Sequence, residues 1–503
     1  MSKKIMKTLK ANPGAKRLIE SLRNVGYDCS TAVADLVDNS IVANASEIRI
    51  DVIPKQDSRP AAIVIADNGN GMDHDQLKEA MRFGAFQEYS PDDLGRYGLG
   101  LKTASLSQCR VLTVSSKPKV ARNTRSIRHC MRWDVDHVYE TDDWDLLVPS
   151  DKELETWEKE ILNDGISHEN GTVVLWTDLH EALPLLSSED AREREKFLAQ
   201  LITEISAHLR MVFHRFMQGS ASGRRKLDIY VCGEKLLPWD PFCRSEKTRE
   251  LDIAKLPVVS IDPDGSKLRG TVVISPFILP REDEFSSPAV CRDASGPRGW
   301  NQQQGFYFYR NNRLLQAGGW SYLRTPDEHT KLLRVAVDFS SDLDAAFSIN
   351  ITKMRSKIPA EIREKLNSLV GSWSGQARTR YDRRLTSRGG ASQIKNEPVR
   401  EAGKHPVGEI IPSVIVGPLI FSPKNTPSKG LVITENRKTG QIEILVPQSH
   451  DLSSIFTLKG SSEGELRKLC LAMLTMLEAV SDKKVKINRI SVDTLRRIYK
   501  RLS

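Results

Sequence analysis

The sequence predicts an α+β protein of about three domains, on three grounds. Its 503 residues exceed what one hydrophobic core usually serves, since domains commonly span about 100–200 residues. Hydrophobic residues make up 39% and charged residues 28%, as in ordinary globular chains. Segments with helical periodicity and segments with strand-like alternation follow one another along the chain.

Charge and cysteine usage narrow the class of protein. The 74 basic residues exceed the 65 acidic ones, and the net charge of +9 favours polyanionic partners without requiring them. The seven cysteines form no CxxC pair or metal-ligand spacing, so we expect reduced thiols in a cytoplasmic protein. No stretch approaches the roughly 18 apolar residues of a membrane span, so we expect no membrane contact.

The order of elements defines a first domain at residues 16–180, behind an N-terminal arm at 1–15. AKRLIESLRNVGY and TAVADLVDNSIVANA have helical spacing, and EIRIDVI and AAIVIADNGNGM are predicted strands. VLTVSS and GTVVLWTDL are the last strands of this domain. A long helix within residues 181–225 is predicted to connect it to the rest of the chain.

The second half is predicted to hold two more domains. A hairpin around Gly233, three further strands and a helix indicate a mixed α/β domain at residues 226–370. Residues 371–408 are rich in Gly, Ser, Arg and Pro, which predicts a basic linker. GLVITENRKTGQIEILV indicates a hairpin and GELRKLCLAMLTMLEAV an amphipathic helix, so a small α+β domain is expected at 409–503.

Residue types suited to catalysis and ligand binding concentrate in the first domain. In ADLVDNSI, Asp35 and Asn39 are four residues apart, so they lie on one face of the predicted helix about one turn apart. A carboxylate at this place could activate a water molecule, and a carboxamide could bind magnesium, which prefers oxygen donors. An exposed acidic helix face is the alternative explanation.

The second motif is DNGNGM, directly after an apolar strand. Asp67 at the strand end is placed to accept a hydrogen bond from an adenine amino group, and Gly69 and Gly71 let the backbone turn tightly before Met72. A plain turn is the alternative. A calcium loop is excluded, because no EF-hand glutamate follows at the required distance.

The third motif, GRYGLGLKTA, joins glycines directly to a helix-compatible run. Free backbone N–H groups at such a helix start bind phosphate, and a lysine adds positive charge. A flexible glycine loop is the alternative. The candidate nucleotide-binding residues here are Gly95, Gly98, Leu99, Gly100, Leu101, Lys102 and Thr103.

The fourth motif is the dipeptide Gly171-Thr172 at the start of a strand, where the Thr172 hydroxyl reaches adenine directly or through a water. The dipeptide alone is uninformative, and the order of the four motifs carries the prediction. A P-loop is excluded, because GxxxxGK[ST] does not occur, and a Rossmann site is excluded because no suitable βα unit precedes the glycines.

In this order, the four motifs resemble the GHKL superfamily, which includes gyrase B, Hsp-type chaperones, histidine kinases and MutL. DNSI, DNGNGM and GRYGLGLKTAS resemble its MORC-type branch most. The resemblance implies a Bergerat-type ATP-binding α/β sandwich, with ATP and Mg²⁺ as its ligands. It also implies that Asp35 is the catalytic base and that Asn39 binds the metal.

Two positions depart from the GHKL pattern. Members that hydrolyse ATP usually carry Glu at the position of Asp35, and one methylene fewer draws the carboxylate back by about 1.5 Å. We therefore expect slow hydrolysis or a base that acts through a relayed water. The pattern also often has an acid three residues after the Asn, where this chain has Val42. Recognition of adenine and phosphate depends on neither position.

The resemblance continues into the second domain. GFYFYRNNRLLQAGGW and FSINITKMRSKIP resemble the transducer domain of MutL, gyrase B and MORC proteins, in which a lysine reaches the γ-phosphate. Lys353 is the best match, with Arg355 and Lys357 as alternatives. Arg310 and Arg313 fit either a similar role or a basic hairpin tip. The resemblance also implies an ATP-dependent homodimer that exchanges the N-terminal arm.

Two functions remain open. The first is an ATP-gated dimeric clamp on DNA, as in MORC-like proteins of bacterial restriction or anti-phage defence, with a partner nuclease, helicase or methylase. Arginines at 378–388 and basic residues at 483–501 offer phosphate contacts, unless they are solvated basic faces. The second is an Hsp-type chaperone or assembly scaffold for protein clients. A histidine kinase, a topoisomerase and a nuclease are not expected, because we find in this sequence none of the residues or domains that define them.

Overall fold

A computed structural model describes most of residues 13–388 and four strands beyond them. The chain divides into two units, residues 1–392 and 393–503. The described residues are 13–24, 26–56, 59–84, 94, 100–121, 124, 126–165, 169–179, 181–261, 265, 267–349, 357–388, 414–416, 419–423, 432–436 and 441–446.

A seven-stranded sheet organises the first part of unit one. The strand order is β4-β3-β5-β2-β1-β6-β7, in which β1 and β6 are parallel and the other neighbours are antiparallel. The strands are β1 (Glu47–Ile53), β2 (Ala62–Asp67), β3 (Val111–Lys117), β4 (His129–Asp134), β5 (Gly171–Thr177), β6 (Asp228–Val231) and β7 (Glu234–Lys235).

In the described part of the chain, eight helices accompany this sheet, and the first two precede β1 and β2 as the sequence predicts. They are α1 (Ala15–Arg23), α2 (Cys29–Val42), α3 (His74–Met81), α4 (Gly100–Gln108), α5 (Val135–Thr141), α6 (Thr156–Asp164), α7 (Ala191–Val212) and α8 (His214–Gln218), with a 3₁₀ turn at Pro184–Ser187.

Strand β2 is buried on both faces, which explains its uninterrupted apolar sequence. Ile63 and Ile65 point into the core shared with α1, α2 and α7, whereas Val64 packs with Leu162 of α6 on the opposite face. Alternate side chains of a strand point to opposite faces, so this division follows from the pleat. The strand that carries Asp67 is therefore held from both sides.

The region predicted as a connector belongs to the first core. Leu201, Ile205 and Leu209 of α7 are buried, and α7 packs against α2. The predicted hairpin around Gly233 is present, but its first strand, β6, pairs with β1. The expected domain start at residue 226 thus differs from the structure, because the sheet and the apolar face of α7 extend the first core through β7.

A six-stranded sheet organises the rest of unit one. Its order is β12-β11-β13-β10-β8, with β9 paired to β10, and β11 and β13 are parallel. The elements are β8 (Arg249–Glu250), β9 (Ala254–Ile261), β10 (Lys267–Ile278), α9 (Pro288–Ala294), α10 (Gly299–Gln303), β11 (Gly305–Arg310), β12 (Arg313–Ala317), β13 (Leu333–Phe339) and α11 (Ala360–Arg388), with 3₁₀ turns at Glu282–Glu284, Glu328–Thr330 and Ser341–Leu343.

Helix α11 corrects the prediction of a linker at residues 371–408, because it continues through the first half of that range. Val370, Trp373 and Ala377 are buried at helical spacing in the hydrophobic core that α11 shares with the six-stranded sheet. Gly371 and Gly375 lie on the exposed face of the helix. Glycine and serine content suggested a linker, but the spacing of the apolar residues decides the structure.

Unit two contains a four-stranded sheet in the order β14-β15-β17-β16, and β16 and β17 form the predicted antiparallel hairpin. The predicted helix in GELRKLCLAMLTMLEAV lies outside the described residues, as do residues 1–12 of the arm. In the described ranges, no helix is long and apolar enough to cross a bilayer. The strands are β14 (Val414–Val416), β15 (Leu419–Pro423), β16 (Val432–Asn436) and β17 (Gln441–Val446).

Candidate functional site

Helix α2 carries the first pair of predicted residues. Asp28 caps the helix by accepting a hydrogen bond from the Thr31 amide at 2.7 Å. Asp35 is only 3% exposed, whereas Asn39, one turn later, is exposed. The predicted pair therefore divides into a carboxylate held inside the protein and a carboxamide open to a ligand.

The Asp35 carboxylate is held at both of its oxygens. Its Oδ2 accepts a hydrogen bond from the Tyr27 hydroxyl at 3.0 Å, and its Oδ1 lies 3.3 Å from Nη2 of Arg313. Burial and the neighbouring carboxylate raise the pKa of Tyr27, so the phenol remains a donor. Asp35 thus has a fixed orientation before any nucleotide arrives.

Strand β2 ends at Asp67, directly beside Thr172 of β5 in the sheet register. Asp67 accepts hydrogen bonds from the Ser40 hydroxyl and the Gly69 amide, both at 2.8 Å. Burial raises the pKa of Asp67, while the Gly69, Ser40 and Thr172 donors oppose that shift. Thr172 shares a 2.8 Å hydrogen bond with Ser116. A carboxylate and a hydroxyl therefore lie side by side where β2 ends and β5 begins, inside the sheet.

The turn after Asp67 requires glycine at position 71. Gly71 has φ +63°, and a Cβ there would lie 1.9 Å from the carbonyl oxygen of Lys117. The following amide, of Met72, donates a 2.8 Å hydrogen bond to Ser116. The chain therefore passes against β3 at a distance that excludes any side chain at position 71.

The part of the glycine motif that the structure describes is its end in helix α4, from Gly100 onward. Burial lowers the pKa of Lys102 to about 8, partly opposed by Glu79, and the side chain is 2% exposed. Its Nζ donates a 2.8 Å hydrogen bond to the Ala80 carbonyl, so the ammonium contacts the end of α3. Gly95, Gly98 and Leu99 lie outside the described residues, and Gly100, Leu101, Lys102 and Thr103 form the first turn of α4.

Direct contacts join the motifs of α2, β2 and β5, and α4, which carries the helical end of the glycine motif, packs against α2. Ser40 links α2 to Asp67, and the Asn70 amide donates to the Ala43 carbonyl at 2.8 Å. Asp67 and Thr172 link β2 to β5. The predicted γ-phosphate ligand Lys353 and its alternative Arg355 lie outside the described residues, whereas the alternative Lys357 is described and exposed.

Sequence reasoning missed several partners in this region. Tyr27, Ser40 and Ser116 each hold a predicted residue by a hydrogen bond, and Asp38 shares Arg313 with Asp35. Ser40 was findable, because it follows Asn39 on the same helix. The others come from elements whose approach depends on the folded chain.

The donor set fits magnesium that arrives with a nucleotide. Asn39 presents an exposed carboxamide, and Mg²⁺ is commonly held by one or two protein oxygens together with substrate phosphates and waters. Among the described residues, no group of three His, Cys, Asp or Glu is arranged to hold a metal. These residues therefore suit a metal carried by phosphates.

A cavity of about 880 Å³ lies elsewhere, between α1, α3 and the aromatic side chains of Phe83, Trp133 and Trp144. It contains none of the residues predicted to bind nucleotide. Its lining combines apolar side chains with the charged side chains of Asp75, Lys78, Glu79 and Arg82. The nucleotide motifs therefore place the candidate site at the ends of β2 and β5, apart from this cavity.

Comparison with known proteins agrees with this geometry. Residues 27–172 match the sequence family described as "Histidine kinase-, DNA gyrase B-, and HSP90-like ATPase". The match begins at Tyr27, which holds Asp35, and ends at Thr172, which lies beside Asp67. The match places a GHKL-type ATPase domain at residues 27–172, as predicted, and the predicted α+β fold class is confirmed.

Within that superfamily the chain is similar to microrchidia proteins of Arabidopsis thaliana, which confirms the predicted MORC-type likeness. It is 27% identical to Protein MICRORCHIDIA 5 over 186 residues, covering 35% of this chain and 25% of that protein. It is 36% identical to Protein MICRORCHIDIA 3 over 78 residues, covering 15% of this chain and 13% of that protein. The matched segments are thus a minor part of either relative.

A solved structure to which this chain was compared and found similar is the crystal structure of the N-terminal domain of a DNA repair protein. The two are 15% identical, and the alignment covers 74% of this chain and 98% of that chain with a TM-score of 0.34. A likeness at that score adds nothing to the argument from the site.

Substitution of Gly71 by Ala is expected to destabilise the protein more than substitution of Gly84. Both residues have positive φ, +63° and +68°, which costs a side chain about 1–2 kcal/mol. Of these two glycines, only Gly71 has backbone in the path of the added methyl, since no atom of the described residues lies within 4 Å of a Cβ at Gly84. In urea unfolding we expect Gly71→Ala to lose at least about 2 kcal/mol more than Gly84→Ala. Equal losses would contradict the steric requirement.

Substitution of Lys102 by Met is expected to change how stability depends on pH. Because the pKa of Lys102 is lowered to about 8 in the folded protein, the unfolded chain binds more protons than the folded one between about pH 8 and 10.5. The stability of wild type relative to Lys102→Met should therefore rise across this window, by up to about 3 kcal/mol in total. Unfolding at pH 7, 8.5 and 10 measures the difference. A difference that does not change with pH would argue against a buried ammonium.

Proposed function

We propose that the first domain binds ATP, with Asp67 and Thr172 on the adenine and the glycine motif on the phosphates. The observation that carries the proposal is the Asp67 carboxylate, fixed by Ser40 and Gly69 beside the Thr172 hydroxyl. Each carboxylate oxygen can accept about two hydrogen bonds, so acceptor capacity remains for an adenine amino group. The family match over residues 27–172 supports ATP as the nucleotide.

We further propose that the domain hydrolyses ATP slowly, with Asp35 as the base. Asp35 is shorter than the usual Glu and is almost fully buried. A general base acts only where it reaches the water, so these features favour low turnover. Asn39 would hold magnesium that accompanies the phosphates, and Lys353 would contact the γ-phosphate.

Phosphate release by wild type and Asp35→Asn, at equal ATP occupancy, tests this assignment. We expect a loss of about a hundredfold or more, because removal of a general base typically costs 10²–10⁴-fold. Binding of a nonhydrolysable analogue should stay within about threefold of wild type. Asp73→Asn is a matched control, since Asp73 is an exposed N-cap and asparagine caps helices equally well. Equal nonzero rates in wild type and Asp35→Asn would remove Asp35 as the base.

The wider proposal is an ATP-gated homodimeric clamp on DNA, acting in restriction or anti-phage defence beside a nuclease, helicase or methylase. The net charge of +9 supports a polyanionic partner. Within the arginine cluster of α11, Arg378 pairs with Asp327 and Arg380 pairs with Glu284, so these two arginines do not add to that support. The remaining candidates for phosphate contact are Arg383, Arg384, Arg388 and the basic residues at 483–501, whose side chains all lie outside the described part of the structure.

DNA binding as a function of salt, with and without a nonhydrolysable ATP analogue, tests the clamp. We expect log affinity to fall linearly with log salt, with a slope of about −0.9 per phosphate contacted. Neutralising Lys483, Lys484 and Lys486 should reduce that slope, whereas Arg378→Gln should leave it unchanged. Absence of binding at low salt would refute the clamp and favour a chaperone or assembly scaffold acting on protein clients.

A further inference from the structure

The hairpin of β11 and β12 carries two buried arginines from the second part of unit one into the first. Arg310 ends β11 and Arg313 begins β12, and the two residues face each other in the ladder. Asn311 and Asn312 form the turn with φ +47° and +69°. Positive φ at both central residues is the type I′ hairpin, which asparagine tolerates. The two arginines are therefore fixed relative to each other.

Arg313 contacts two carboxylates of α2. Its Nε lies 2.7 Å from Asp38 Oδ2, and its Nη2 lies 3.3 Å from Asp35 Oδ1. The guanidinium is buried and lies 5.8 Å from the ring centroid of Phe213. Burial opposes its charge, yet Asp38 and Asp35 raise the pKa of Arg313. This ion cluster is enclosed by protein.

Arg310 contacts the residue that directly precedes the glycine motif. Its Nη1 donates to the Leu94 carbonyl at 3.1 Å, and its Nε donates to Asp344 at 2.7 Å. Leu94 directly precedes Gly95 in the sequence. The β11–β12 hairpin therefore contacts both α2, which carries Asp35, and Leu94, which directly precedes the glycine motif.

We propose that Arg313 is a positioning residue for the base Asp35, and that the β11–β12 hairpin is the element through which the second part of unit one sets that position. The inference rests on the proposed ATP hydrolysis. Asp38 takes the shorter contact and orients the guanidinium plane, so that Nη2 faces Asp35. Tyr27 holds the other oxygen, and the two donors together fix the plane of the carboxylate.

A lysine cannot replace this arrangement. The guanidinium presents several N–H donors in one rigid plane, whereas an ammonium is a compact charge on a flexible stem. Arg313→Lys therefore keeps the charge that two buried carboxylates need but removes the fork that orients Asp35. The variant separates positioning from charge balance.

The experiment compares wild type, Arg313→Lys, Asp38→Asn and the double variant. A fluorescent nonhydrolysable ATP analogue measures binding, and single-turnover phosphate release at saturating ATP measures the chemical step. We expect each single variant to bind within about threefold of wild type and to release phosphate at least about tenfold more slowly. The double variant should lose no more than the worse single one, because both act through one contact.

Arg334→Lys is the matched control. Arg334 is a fully buried arginine of β13, in the same sheet, and donates to the carbonyls of Pro241 and Ala294 in the second part of unit one. It should keep wild-type phosphate release even if its melting temperature falls. An equal loss in Arg334→Lys would attribute the effect to general destabilisation and overturn the inference.

Other outcomes separate the inference from the proposed function. If wild type hydrolyses ATP and Arg313→Lys does so at the same rate, the inference is wrong and the proposed function stands. Additive losses in the double variant would also overturn it. If wild type binds no ATP, the proposed function fails and the inference fails with it.

Discussion

Two carboxylates buried within one turn of a single helix require a counter-charge, and the rest of unit one is arranged around that requirement. Asp35 and Asp38 of α2 receive it from Arg313, which lies 278 residues from Asp35 in the sequence. Removing one partner from a buried ion cluster commonly costs about 3–5 kcal/mol, because the remaining charge stays in a medium that solvates it poorly. The helix that carries the candidate base is therefore complete only when the second sheet is in place.

The same dependence explains how α2 is enclosed. Helix α7 covers it with Leu201, Ile205 and Leu209, and β6 extends the sheet beside β1. Both elements follow the nucleotide motifs in the sequence by tens of residues. What the four motifs supply is the chemistry of the site, and what the later elements supply is its burial and its fixed geometry.

The predictable part of the site is local in sequence. Asp67 follows from a strand that ends in a glycine turn, and Gly71 follows from the sharpness of that turn. Thr172 becomes informative only in the order of the motifs. The partners of Asp35 were not predictable, because periodicity and spacing report neighbours within one element, whereas Tyr27 and Arg313 approach from others. Arg313 was noted as a basic residue, but its acidic partners depend on how the two sheets meet.

The family match ends at Thr172, but the folded core does not. Strand β5 lies inside the sheet, and the edge beyond β1 is completed by Ile229 and Val231 of β6. A chain cut at residue 180 would leave the apolar sides of α2 and β1 facing water. The sequence-family match and the folded core therefore end at different residues. A fragment meant to behave as an isolated domain must reach at least Lys235.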